Sequence, residues 1–274
     1  LDMPLAKKML SYTWPILFLG IAGILNQTAG YIIFPYVYKD NDAHTQLGIF
    51  GAASKIAMIM SMITQAFRYA YEPFVFGKAR DKDNKETYAR AMKFFIIFTL
   101  LAFLVVMGYM DILRHIIGRD YWVGLKVVPI VMAGGIMTGV YFNLSFWYKL
   151  IDKTIWGAYF SGIGCAVIIG INVIFVPKYG YIACAWAGFM GNATAMVLSY
   201  LVGQRKYPIN YPLKSIFVYL LIAGFFFAVI TYTNANLPVP AALGINTLVI
   251  ILFIAHVLYH DFPLQKLRSR FAKK

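Results

Sequence analysis

Lys55 lies well inside an apolar run, about eight residues from the run's outer end. A cation at membrane depth costs about 2.5–3.5 kcal/mol on lenient scales, so it is expected to face protein or water and to have a use. At about 100° per residue, Ser54, Met58, Ser61, Met62, Gln65, Arg68, Tyr69 and Glu72 fall with Lys55 in one arc of about 140°. Ala53, Ile56, Ala57, Ile63, Thr64 and Ala66 occupy the other side. The pattern predicts an amphipathic membrane helix whose polar stripe, Lys55 to Glu72, lines a hydrated cavity. The competing reading has Lys55 snorkelling outward and Arg68 and Glu72 as ordinary interfacial residues.

A second polar group, Asn26, Gln27 and Thr28, sits midway along the first apolar run, among Gly20, Gly23 and Gly30. Amides at this depth either bond across helices or line a path. Asn143, Asn172 and Asn192 invite the same two readings, with helix gluing favoured. No other chemistry is spelled out. The histidines lack metal-ligand spacing, and no nucleophile, base and acid stand in a recognisable order. Asp111 and Asp120 form a sequence-close carboxylate pair without a surrounding motif. No catalytic residue, metal or cofactor is therefore expected, and the chain is not expected to be an enzyme. Cys165 and Cys184 lie in apolar runs and read as small buried residues.

The elements that position these residues follow from composition. Of 274 residues, 61% are hydrophobic and 13% charged, against about a quarter charged in soluble domains. This predicts an all-α, polytopic transmembrane helix bundle. Eight spans are expected, at 14–37, 47–68, 92–110, 126–148, 155–176, 181–203, 214–233 and 241–259. The net charge of +14 is assigned to loops on one membrane face, not to nucleic acid. With a cytoplasmic N-terminus, Lys and Arg favour the cytoplasmic segments by about four to one. Both termini are then cytoplasmic, and the turn Pro177–Gly180 faces outward. Tyr36, Tyr38, Tyr121, Trp122, Trp147, Tyr148, Trp156, Tyr179, Tyr181, Tyr207 and Tyr211 fall near span ends and read as interfacial anchors. Short outer loops leave no room for an external catalytic domain.

Three stretches carry a family resemblance. They are Lys7-Lys8-Met9-Leu10-Ser11-Tyr12-Thr13-Trp14-Pro15; Leu47 to Ile56, followed by Gln65-Ala66-Phe67 and Glu72-Pro73; and Asn172 with Pro177-Lys178-Tyr179-Gly180-Tyr181-Ile182-Ala183 and Ala185. Together they resemble the seventh and eighth helices and the eleventh-to-twelfth helix turn of Wzx-type O-antigen and capsule flippases. These belong to the multidrug/oligosaccharidyl-lipid/polysaccharide exporter superfamily. The resemblance implies a C-terminal portion of such a protein, with residues 1–203 as the second six-helix lobe, 204–274 as an added helix pair with a basic tail, and the first lobe missing. The chain's opening, Leu-Asp-Met with an apolar run almost at once, fits that expectation.

The implied activity is flipping of undecaprenyl-pyrophosphate-linked oligosaccharide repeat units across the bacterial inner membrane, by alternating access of two lobes around an often cationic cavity. The implied partners are the lipid-linked oligosaccharide, membrane lipids and the first lobe. Lys55 matches a frequent basic residue of the eighth helix and would face the pyrophosphate. Arg68 would serve the same anion at the cytoplasmic mouth, with Gln65, Ser61, Glu72, Asn26 and Gln27 along the path. The alternatives are a drug/cation antiporter or lipid II flippase of the same superfamily, a membrane oligosaccharide polymerase or ligase, and a scaffold without transport activity. An antiporter would want deep carboxylates, which this stretch lacks.

Overall fold

The computed structural model describes residues 3–77 and 84–261. The expected basic positions Lys78, Arg80 and Lys82, and the tail cations Lys266, Arg268, Arg270, Lys273 and Lys274, lie outside the described residues. Those described form helices and connections without strands. The long helices are α1 (Met3–Val37), α2 (Ala43–Gly77), α3 (Asn84–Gly108), α5 (Val128–Leu144), α7 (Ile155–Tyr179), α8 (Tyr181–Lys206), α9 (Leu213–Asn236) and α10 (Val239–Asp261). Short pieces complete the order: α4 (Met110–Leu113), two 3-10 turns at Arg114–Ile116 and Arg119–Val127, and α6 (Phe146–Leu150).

Among the described residues, seven stretches are long and apolar enough to cross a membrane: Ala43–Val75, Asn84–Gly108, Arg119–Leu150, Ile155–Tyr179, Tyr181–Lys206, Leu213–Asn236 and Val239–Asp261. The first expected span, 14–37, falls within the 35-residue α1. The chain has the architecture of a multi-pass membrane protein.

Two boundaries differ from expectation for local reasons. Helix α2 runs on past Arg68, through Pro73 to Gly77. Helix α7 likewise continues through Pro177 to Tyr179, so the four-residue turn shrinks to Gly180. A proline one turn before a helix end removes a single hydrogen bond and leaves the helical φ intact. Gly180 makes the turn, at φ 57° and ψ −141°, a region essentially restricted to glycine. The turn sits against Gln46 and Tyr38, at the connection of α1 and α2.

Residues group into two compact units, 1–92 with 117–211, and 93–116 with 212–274. The sequence boundary at 203 put α3 wholly in the larger lobe. In the structure only its first turns belong there, and the remainder joins α9 and α10.

The first unit is held by close backbone contact. Gly164 of α7 faces Gly191 of α8 so tightly that a Cβ on either would meet the other's carbonyl oxygen, at 2.9 and 2.7 Å. Small residues let membrane helices approach in this way. The ring of Trp147 covers Gly203, and Tyr148 covers Gly157. Trp147 and Tyr148 are 2% and 1% exposed, so they are core residues and not the interfacial anchors their positions suggest. Tyr181 is buried too, donating to the Val123 carbonyl at 3.1 Å. Near the end of α2, Val75, Tyr88, Phe146 and Ile209 form an apolar cluster with Tyr71, Tyr207 and Tyr211 against it. Burial there pushes the Tyr211 phenol well above its usual range, aided by neighbouring tyrosines.

In the second unit, polar groups tie α3 to α9 and α10 near both ends of these helices. Asn246 of α10 is fully buried. It donates to the Gly108 carbonyl at 2.9 Å and to Asn234 Oδ1 at 2.7 Å, and accepts from Thr233 at 2.7 Å. Asn234 in turn donates to the Met107 carbonyl. The last carbonyls of α3, which have no partner within their own helix, thus find donors on α9 and α10. At the opposite end, Asp261 accepts from Lys93 and from Tyr219.

Candidate functional site

Within the first unit, α1, α2, α5, α7 and α8 enclose a cavity of about 360 Å³. Glycines keep it open. At Gly23 of α1 and Gly188 of α8 an added Cβ would meet nothing within 4 Å, so these wall positions project no side chain into the space. On the α5 side, Gly134 lets the backbone of Phe189 approach, closing the floor.

Polar atoms arrive from several helices: Asn26 and Gln27 from α1, Ser54, Ser61, Thr64 and Gln65 from α2, Asn172 from α7 and Asn192 from α8. Asn172 is 1% exposed. Its amide nitrogen donates to the Ile168 carbonyl at 2.8 Å, which fixes the flip, because an amide oxygen cannot bond a carbonyl. Its Oδ1 is left without a partner, as are Asn26 Oδ1, Gln65 Oε1 and Thr64 Oγ1. A buried polar atom left unpaired costs about 1–3 kcal/mol. Four on one wall mark a place built to receive donors. Tyr31, Phe50, Tyr141, Phe142 and Phe189 supply aromatic surface, and every wall residue is uncharged.

The structure brings together Asn26, Gln27, Ser61 and Gln65. Lys55, Arg68 and Glu72 do not belong to the wall. Lys55 is exposed on α2 and has no ion pair among the described residues. Glu72 accepts from Lys149 at 2.6 Å. The Arg68 guanidinium lies 5.1 Å from the ring centre of Phe142, a wall residue, and 5.4 Å from that of Tyr69. The expectation of one continuous stripe lining a cationic cavity is therefore corrected. Helix α2 buries Ala53, Ile56, Ala57, Met60 and Thr64. The cavity adjoins that buried arc and takes the neighbouring side of the polar stripe up to its middle, through Ser61, Ser54, Gln65 and Met58. The stripe's far edge, with Lys55, Met62 and Tyr69, is exposed outside the cavity.

Two further expectations change. Asn143 and Asn172 do not bond across helices: each donates to its own helix, at Gly139 and Ile168. Thr64 belonged to the apolar arc, yet it carries one of the free acceptors. Cys165 and Cys184 are free and buried as expected, and Cys184 touches the cavity. The signal for Asn172 was present, an amide deep in an apolar run, but its direction is not written in spacing.

These features define a multi-pass, all-helical membrane fold with an uncharged, acceptor-rich cavity inside one helical unit. The chain matches the structure of the lipid II flippase MurJ in its inward closed conformation with a TM-score of 0.70 and 17% sequence identity, over 96% of this chain and 56% of that one. It thus spans little more than half the length of that protein. No family model and no curated protein matches the sequence.

Proposed function

We propose that this chain is the second lobe, with an added helix pair, of a flippase that carries undecaprenyl-pyrophosphate-linked oligosaccharide repeat units across the bacterial inner membrane. The observation that carries the reading is the acceptor-rich cavity between α1 and α2 in a bundle with the MurJ fold. Three wall residues, Gln27, Met58 and Ser61, are also exposed, so the cavity reaches the surface between those two helices. Lys55 and Arg68 bracket this opening along α2, about 20 Å apart at 1.5 Å per residue. An exposed cation beside the opening suits a diphosphate, and neutral acceptors suit the sugars it carries. A first lobe would cover the exposed face of α1 and α2, and alternating access between the lobes would move the substrate. The excess of Lys and Arg on alternate connections supports a cytoplasmic placement of both termini.

A second reading, lipid II as cargo, is favoured by the name of the structural neighbour. Both cargoes join sugars to a lipid diphosphate, and competition between the two lipids in transport separates them. The test is Lys55→Ala in the whole protein. Export of surface polysaccharide should fall severalfold while the protein reaches the membrane in normal amount. Undiminished export at equal abundance removes Lys55 from the path.

A further inference from the structure

The unpaired atoms on the cavity wall are all oxygens that accept hydrogen bonds. Asn172 Oδ1, Asn26 Oδ1, Gln65 Oε1 and Thr64 Oγ1 come from three helices, and each is buried without a partner. Asn172 cannot rotate to offer a donor, because its nitrogen is held by the Ile168 carbonyl. With no charged residue on the wall, a phosphate or carboxylate would find no cation there, and of these four atoms only the Thr64 hydroxyl has a proton to donate to it. A ligand fits if it brings several donors of its own and carries apolar faces for the rings of Tyr31, Phe50 and Phe142. Pyranose sugars have that character: hydroxyl protons around the rim and C–H groups above and below. The volume of about 360 Å³ lies at the low end of small-molecule sites, about 300–1,000 Å³, which suits a head of one or two rings and not a longer glycan.

We propose that this cavity, inside a single helical unit, seats the terminal sugar of the substrate by accepting its hydroxyl protons at Asn172, Asn26, Gln65 and Thr64, while the phosphate stays outside on α2. The proposal rests on the flippase reading and narrows it. One lobe alone holds the sugar, so recognition of the head group does not need the other lobe to close.

Three probes separate the possibilities when binding to the purified full chain is read by its thermal unfolding midpoint: a polyprenyl phosphate, the same lipid carrying N-acetylglucosamine, and free N-acetylglucosamine. The sugar-bearing lipid should bind more tightly than the bare lipid, and the free sugar should erode that difference by competition. Asn172→Leu should shrink the affinity ratio of the two lipids by about tenfold, the effect of one good hydrogen bond to a buried acceptor, with the bare lipid binding as before. Asn26→Leu and Gln65→Leu, on other helices, should shrink it as well and decide the matter if Asn172→Leu fails to fold. An unchanged ratio in the variants overturns the proposal but leaves the flippase reading intact. So does stabilisation by sodium ion alone that Asn172→Leu abolishes, with no dependence on sugar. Failure of both lipids to bind removes the flippase reading as well.

Discussion

Gly191→Ala tests the close approach of α7 and α8. A Cβ at Gly191 would stand 2.3 Å from Ile168 Cγ1, 2.8 Å from Ile168 Cδ1 and 2.7 Å from the Gly164 carbonyl oxygen. The isoleucine could turn aside, although it is 2% exposed and has little room. The carbonyl is backbone and cannot. Ordinary contact begins at 3.4 Å, so 3.4 minus 2.7 leaves α7 and α8 about 0.7 Å too close. Overpacking of this kind costs about 1–3 kcal/mol. Alanine returns up to about 1 kcal/mol through its better helix propensity, so the net loss should be about 1–2 kcal/mol. Gly170→Ala on α7 is the control, because its Cβ meets nothing within 4 Å and only the propensity gain remains. Reversible unfolding in mixed micelles, followed by far-UV circular dichroism, measures both. If Gly191→Ala proves as stable as Gly170→Ala, the two helices do not meet through these glycines and the reasoning fails.

Two other substitutions probe the scaffold. Gly180→Ala forces a Cβ into a conformation at φ 57° and ψ −141° and should cost about 1–3 kcal/mol in the same unfolding assay, whereas a loss near zero would mean the turn is not held in that geometry. Asn246→Leu strips donors from the Gly108 carbonyl and Asn234. It should cost about 1–2 kcal/mol and speed hydrogen exchange selectively where α3 ends; unchanged exchange there would show that the amide does not pin it.

The helices were largely legible in the sequence because each needs only a run of apolar residues about as long as a bilayer is thick. The amphipathicity of α2 was legible for the same reason: Ala53, Ile56, Ala57 and Thr64 are buried where a 100° step puts them. Legibility stopped where function depends on which neighbour covers a residue. Trp147 and Tyr148 stand near a span end like any anchor, yet they pack inside against Gly203, remote in sequence, and Gly157 of the next helix. Lys55 is the most conspicuous residue in the chain, yet α2 is rotated so that Ser61 and Gln65, not Lys55, reach the cavity. Asn172 looked like helix glue because type and depth cannot say which way an amide points. The grouping of α3 with α9 and α10 depends on Asn246 meeting the Gly108 carbonyl across 138 residues, which no local pattern announces.

The most direct test is translocation itself. The whole protein would be reconstituted in vesicles holding a fluorescent undecaprenyl-pyrophosphate-linked oligosaccharide, and the outer leaflet then read with a membrane-impermeant quencher. Protein-dependent loss of the protected pool, slowed severalfold in both Lys55→Ala and Asn172→Leu, is the expected result. A protected pool that stays constant with correctly inserted protein, or one that drains at the same rate with both variants, would contradict it.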